Sequence, residues 1–355
     1  MRLEVERQLR AERRRIVEQA RTQGRHAVCW GYLIRKTLHT PKGDLGPIRI
    51  PRLRIDDKER RLLPRYVRRV QAFDDLVAET TLSGLSQRHI GPWLHRNTGQ
   101  SLSAWTVGHI VGDLADHVQA RRTEPLVTSD WVAIATDAIW GRYRGQGQAA
   151  LALALGVRND GSWRVLDWAA GQAETTPLYE RLMNQLYHRG LDEVSLVVGD
   201  GAGAIESARA MVYPDASFQL CLWHWWRGLK ARVPRQHQRE FNRDFWEVYD
   251  GLDEDEVRQR AAGFRAHWRR RCPGTIAAFR DEFERTVSFV RLPTVHLRHR
   301  VRTVNLAESF FRHFRRFFNR FPGFQDEAHL CRVLGLYLLS AEPDLWRANT
   351  YRRVS

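Results

Sequence analysis

Lysine is almost missing from this basic chain: of 57 lysine and arginine residues, only Lys36, Lys42, Lys58 and Lys230 are lysine. Guanidinium groups therefore carry nearly all the charge, and they grip phosphate oxygens through two parallel N–H donors. Codon bias in a GC-rich genome is the competing account of that choice, but it does not explain the excess of base over acid. Cysteine is scarce too. Cys29, Cys221, Cys272 and Cys331 are scattered without paired spacing, which argues against a disulfide framework or a Cys-rich zinc module and suits a reducing cytoplasm. The longest apolar run, residues 149–157, is far below the roughly 20 residues that span a bilayer, and the first residues are charged rather than signal-like, so no membrane or export role is expected. Acid is absent from one long stretch: residues 285–325 hold nine arginines and a single carboxylate, Glu308.

The 355 residues are 43% hydrophobic, enough for a buried core and for two or three domains. The net charge of +16 points to a polyanionic partner, nucleic acid first. Residues 1–23 read as a solvated helix or a basic arm. The stretch G-P-I-R-I-P-R-L-R-I from Gly46 alternates apolar and basic residues as a half-exposed strand does, and Pro51 assigns it to a sheet edge. Its basic face, with Arg49 and Arg52, suits a DNA backbone; an ordinary solvated strand face is the alternative. Residues 70–118 become helical, with breaks around Gly84 and Gly99 and N-caps expected at Ser86 and Ser103. This is helix-turn-helix punctuation, although Pro92 should kink the first helix. The second helix should show Trp105, Gly108 and His109 on its outer face.

From Asp130 the period changes. Three strand-like runs are separated by Gly-rich or Asn-Asp-Gly turns, as in an antiparallel meander. A helix over 176–189, a short buried strand E-V-S-L-V-V-G-D, a helix over 204–212 and a strand S-F-Q-L-C-L-W-H should follow. The order is that of an RNase H-like mixed sheet, an α/β fold, and the remainder reads as helical. Trp223, Trp225, Trp226, Trp246 and Trp268 are read mainly as helical core, with base stacking the alternative.

Asp137 lies inside an apolar strand, where an uncompensated carboxylate costs several kcal/mol; the bland alternative is a turn-opening Asp. Asp200 closes a buried strand, where α/β sheets place their sites, or else it makes a simple Asp-Gly turn. Glu308 either pairs with Arg312 on an exposed helix face or is an acid retained for chemistry. Phe310, Phe314, Phe317 and Phe321 fall at core spacing, leaving Glu308, Arg312, Arg315 and Asn319 outward or toward the sheet edge. Three carboxylates brought together need a cation, and hard oxygen donors suit Mg²⁺ or Mn²⁺. Two such ions make the clamp for in-line phosphoryl displacement. Cys221 and His224, expected at a strand end, are too few ligands for structural zinc.

In order along the chain, the blocks G-P-I-R-I-P-R-L-R, G-L-S-Q-R-H-I, S-L-S-A-W-T-V, A-T-D-A-I-W, L-G-V-R-N-D-G, V-V-G-D-G, Y-P-D-A-S-F-Q-L-C-L-W-H and V-R-T-V-N-L-A-E resemble those of the Mutator-type transposases of bacterial insertion sequences. The resemblance implies an RNase H-like fold with an all-helical insertion and a helical N-terminal DNA-binding region. It implies Asp137, Asp200 and Glu308 as catalytic ligands of two Mg²⁺ or Mn²⁺ ions. Cys221 and His224 match the family's C-x-x-H signature, and Arg302 and Asn305 its R-x-x-N-x-x-E pattern, in which they would orient the glutamate or a phosphate. Arg49, Arg52, Arg88, Trp105, His109, Arg312 and Arg315 are the expected DNA contacts. Val304, where threonine is usual, and Pro92 depart from the pattern. The implied divisions are an arm and edge strand (1–69), a helix-turn-helix-like region (70–128), a first core part (129–233), a helical insertion (234–300) and a second core part (301–355). The implied activity is cleavage and transfer of DNA at terminal inverted repeats, by a homodimer or larger assembly in the cytoplasm, on the nucleoid when DNA is bound. A silent DNA-binding relative and a structure-selective nuclease are the rival readings.

Overall fold

The computed structural model describes residues 2–62, 69, 71–143, 147–302, 310, 314–316, 324 and 326–341. The chain divides into two compact units, residues 1–121 with 332–355, and residues 122–331. No described helix is long and apolar enough to cross a membrane, and among the described residues no disulfide joins the four cysteines.

In the first unit, α1 (Arg2–Thr22) is followed by β1 (Ala27–Arg35), β2 (Leu38–Thr40), β3 (Gly43–Leu45), β4 (Ile48–Ile55) and β5 (Lys58–Arg61). The helix is not solvated all round. Leu9, Val17 and Ala20 are buried among Ile48, Ile50, Leu53 and Ile55 of β4. The buried Glu6 accepts the backbone N–H of Arg49 at 2.9 Å. Pro51 corrects the expectation of an edge strand, because β4 lies between β1 and β5. The missing N–H is tolerated where both ladders give way: pairing with β5 covers only Arg52–Ile55, and on the other side Pro51 meets Tyr32 at a register shift beside Gly31.

Three helices complete this part: α2 (Gln71–Leu82), α3 (Gln87–Thr98) and α4 (Ala104–Arg122). The breaks fall at the expected glycines. Gly99 takes φ 74°, open to glycine at little cost, and closes α3 by donating to the His95 carbonyl at 2.9 Å. Ser103 caps α4 by accepting from the Thr106 N–H at 3.1 Å, whereas the Ser86 hydroxyl instead bonds the His89 ring at 2.9 Å. Helix α3 runs through Pro92. Trp105 and His109 lie outward with rings 4.0 Å apart. Gly108 does not: a Cβ there would touch the Gln87 side chain at 3.4 Å, so it is a helix-packing position. Gly91 is tighter still, since its Cβ would stand 2.1 Å from the Leu102 carbonyl oxygen. Helix propensity alone favours alanine by about 1 kcal/mol. We expect Gly91→Ala to destabilise this unit by about 1–3 kcal/mol nonetheless, because a backbone atom cannot yield cheaply. A raised midpoint in thermal unfolding of the full chain would reject that packing.

The second unit is built on β6 (Trp131–Tyr143), β7 (Gly147–Arg158), β8 (Trp163–Gly171), α5 (Thr176–His188), β9 (Leu196–Gly199), α6 (Gly203–Val212) and β10 (Ser217–Leu220). The sheet order is β10-β9-β6-β7-β8: β6, β7 and β8 form the antiparallel meander, while β9 runs parallel to β6 and β10 parallel to β9. Leu178, Leu182 and Leu186 of α5 and Ile205 and Ala208 of α6 pack on Ile134, Ala152, Val197 and Phe218 of one face. The strand ends at Leu220, so Cys221 and His224 are not on a strand as expected: Cys221 caps α7 (Leu222–Lys230) and His224 sits in its first turn. Then come α8 (Gln238–Val248), α9 (Glu254–Trp268), α10 (Pro273–Glu282) and α11 (Val295–Val301); α12 (Glu327–Ala341) begins in this unit, and its residues from Arg332 on belong to the first. Phe241, Phe245, Phe264, Trp268 and Phe279 interlock as an aromatic core within this helical part. Trp226 and Trp268 are buried, and Trp223, Trp225 and Trp246 are half-buried. Gln219 of β10, fully buried, donates to the Thr286 carbonyl and accepts from Phe289 N–H, both at 2.9 Å, which ties the helical part to the sheet.

Candidate active site

Ala133 and Ala135 of β6 pair with Leu196 and Val198 of β9 in parallel. Asp137 lies two residues past Ala135 on β6, and Asp200 two residues past Val198, just beyond the end of β9, so neighbouring strands about 4.8 Å apart deliver both carboxylates to the same end of the sheet. Their separation of 63 positions in sequence is closed by ordinary ladder hydrogen bonds. Asp200 leaves the carboxyl end of β9 and accepts the Ala202 N–H at 2.9 Å, which fixes the turn into α6.

Asp137 is only 9% exposed. One oxygen accepts the Ala138 N–H at 2.8 Å, and the other is 3.7 Å from the Arg315 guanidinium. Burial pushes this carboxyl up to about 6; His224, Ala138 and Arg315 oppose the rise, and Asp200 adds to it. His224 is pushed up to about 9, foremost by a hydrogen bond with the Cys221 side chain, with Asp137 and Asp200 also favouring its charged form. Two carboxylates, an imidazolium and a guanidinium thus feel one another at the end of β9. The donors fit a hard divalent cation. Asp137 is buried with an oxygen met only at long range, and Asp200 offers a second carboxylate beside it.

Arg302, expected to orient a phosphate or the third acid, donates to the Tyr249 carbonyl at 2.9 Å and to Asp250 at 2.8 Å. Its own carbonyl accepts the Leu222 N–H at 3.0 Å, which holds the end of the α11 segment against the start of α7. Glu308, Asn305 and Arg312 lie outside the described residues, as do Phe317 and Phe321; Phe310 and Phe314 are buried, their rings 6.0 Å apart. Among the expected DNA contacts, Arg49 and Arg88 are exposed. The Arg52 guanidinium stands 4.3 Å over Trp30, with Arg54 on the same ring at 3.4 Å.

Two groups escaped sequence reading. Glu240, Asp244 and His267 are the three such residues, among those described, whose ligand atoms all lie within 4.8 Å of one another. Arg271 already donates to both oxygens of Glu240, at 2.8 and 2.6 Å, and holds its carboxyl down to about 2, with His267 adding to the effect. An ion-pair network between α8 and α9 accounts for this cluster without a metal. Glu174, in the turn before α5, accepts the indole N–H of Trp140 and the hydroxyl of Tyr179, the latter at 3.2 Å. No local pattern announces it, because its partners come from a strand and a helix.

The chain matches the family model described as "Transposase, Mutator family" over residues 1–348. It is 27% identical over 284 residues to the transposase for insertion sequence element ISRM5 of Rhizobium meliloti, covering 79% of this chain and 71% of that protein. It is 28% identical over 233 residues to the transposase for element IS6120 of Mycolicibacterium smegmatis, covering 65% and 72%. With the transposase for element IS1201 of Lactobacillus helveticus it shares 23% identity over 295 residues, covering 82% and 79%.

Proposed function

The chain belongs to the Mutator family of transposases, and on that premise we propose that it cleaves the terminal inverted repeats of an insertion sequence and joins the freed ends to target DNA. The observation that carries this reading is that Asp137 on β6 and Asp200 at the exit of its parallel neighbour β9 come to the same end of the sheet, with Asp137 buried and its pKa raised in part by Asp200. The sheet order, three antiparallel strands followed by two parallel ones, supports an RNase H-like core.

In this proposal Asp137, Asp200 and Glu308 hold two Mg²⁺ or Mn²⁺ ions. When bound, such a pair would supply activation of a water or a 3'-hydroxyl and charge stabilisation of the leaving oxygen. The protein's part is to fix the donors. The β6–β9 ladder sets the two aspartates, and the Ala138 and Ala202 amides each hold one oxygen of the respective carboxylate. The charged imidazole of His224, held by Cys221, offsets the repulsion between carboxylates. Arg315 stands where a phosphate on Asp137 would arrive. Arg302 and Asn305 position the Glu308 segment. Arg49, Arg52 and Arg88 meet the phosphate backbone, Trp105 and His109 at the start of α4 meet base edges, and Arg312 follows the active strand. Two copies of the chain would pair two ends.

A labelled duplex carrying the inverted repeats that flank the gene tests the reading. Mg²⁺ or Mn²⁺ is expected to bring nicks that leave a 3'-hydroxyl, and EDTA to abolish them while binding persists. Binding without cutting under every metal would make the chain a silent DNA-binding relative instead.

A further inference from the structure

Strand β6 is longer than its neighbour. Its parallel pairing with β9 covers Ala133–Ala135, while its antiparallel pairing with β7 continues to Tyr143. Beyond Asp137 the strand therefore overhangs the end of β9, where Asp200 emerges. Trp140 sits on that overhang, 44% exposed. Its indole N–H donates to Glu174, which also receives the buried Tyr179 hydroxyl. The indole's one polar group is thus satisfied and its orientation held, while the residue keeps a large exposed surface.

Strand alternation turns Trp140 and Asp137 to opposite faces, about 10 Å apart along β6. Past Asp137, no described strand pairs with the β9-side edge of β6, and a DNA strand laid over that edge would meet the carboxylates with its phosphate and the indole with a base turned out of the stack. We propose that Trp140, oriented by Glu174, is a stacking platform for an unpaired nucleobase beside the scissile phosphate. This rests on the transposase reading and adds to it a residue that holds the splayed end of the DNA. A tryptophan that merely closes the strand end with its N–H would look similar in the absence of DNA, and binding distinguishes the two.

The probes are two duplexes with the flanking inverted repeat, one fully paired and one mismatched at the two base pairs next to the cut, the latter carrying 2-aminopurine at the unpaired position. With metal omitted, the intact protein is expected to favour the mismatched duplex and to quench its fluorophore. Trp140→Ala should lower that preference about ten-fold and relieve the quenching, as expected for loss of one base–aromatic stack. Trp140→Phe, which keeps a ring, should retain most of both. An unchanged preference in Trp140→Ala overturns the proposal, and so does equal weakening on both duplexes by Trp140→Phe, which marks a structural role. Cleavage by the intact protein is read in a separate reaction, so a failed stacking test with normal metal-dependent nicking rejects only the platform, and stacking without nicking rejects only the transposase chemistry.

Discussion

Asp137→Asn, Asp200→Asn and Glu308→Gln are each expected to lower metal-dependent strand cleavage by about 10³-fold or more, while the DNA is still bound. The magnitude follows from what a carboxylate does here. Under the proposed function each acid would contribute charge to a cation pair that acts as a unit, so removing one member would forfeit most of what the set supplies. Double variants should therefore lose little beyond the single ones. The matching control is Glu240→Gln. Ligand atoms of Glu240, Asp244 and His267 lie within 4.8 Å of one another, but Arg271 already neutralises Glu240, and cleavage should stay within about three-fold of the intact protein. Single-turnover nicking of the labelled duplex decides between the two groups. Cleavage surviving in Asp200→Asn, or lost in Glu240→Gln, would move the metal site from the sheet to the helical part.

The second large effect is on stability. Asp167 of β8 is almost wholly buried, with its side chain 3% exposed. Arg122 reaches one of its oxygens at 2.6 Å and also donates to the Trp168 carbonyl at 2.8 Å, while its guanidinium lies 4.1 Å over the Trp168 ring. Arg189 approaches the other oxygen at 3.4 Å and donates to the Leu166 carbonyl at 2.7 Å, and burial holds its pKa below the ordinary arginine range. Asp167→Ala leaves two largely buried guanidinium groups without this carboxylate, and should cost about 3–5 kcal/mol. Replacing Asp167, Arg122 and Arg189 together by apolar residues of similar volume should cost far less, because desolvation of the three charges is then avoided. Denaturant unfolding of the full chain, followed by far-UV circular dichroism, measures both. A loss below about 1 kcal/mol for Asp167→Ala would mean that water or backbone carbonyls already satisfy the arginines.

What could be read in advance depended on whether the signal was local. The meander was legible because apolar residues bounded by Gly and Asn-Asp-Gly turns fall within one short window. Asp137 was legible as an acid among apolar neighbours, and Asp200 as the residue closing a buried run. Pro51 misled because the rule against proline in a central strand assumes complete ladders, and here β5 stops one residue short. The C-x-x-H pair was misplaced because an apolar run does not announce where a strand gives way to a helix: Leu220 ends one and Leu222 begins the other. The Asp167 ion pairs were illegible for a different reason. Arg122 and Arg189 stand 45 and 22 positions away, and only the packing of three elements makes them neighbours. Trp140 and Glu174 share that limitation.

The sheet order also has a bearing on how the protein is made. Strands β6, β7 and β8 pair across short turns, whereas β9 reaches β6 only after β7, β8 and α5 have been built. Closing longer loops costs more entropy and delays non-local pairing. The meander is therefore expected to form first, which leaves Ala133, Ile134 and Ala135 on a bare edge until β9 pairs with them. An open apolar edge is a template for another chain of the same kind. The strand that carries Asp137 is therefore open to pairing with a second copy during synthesis until β9, which leads into Asp200, covers its edge.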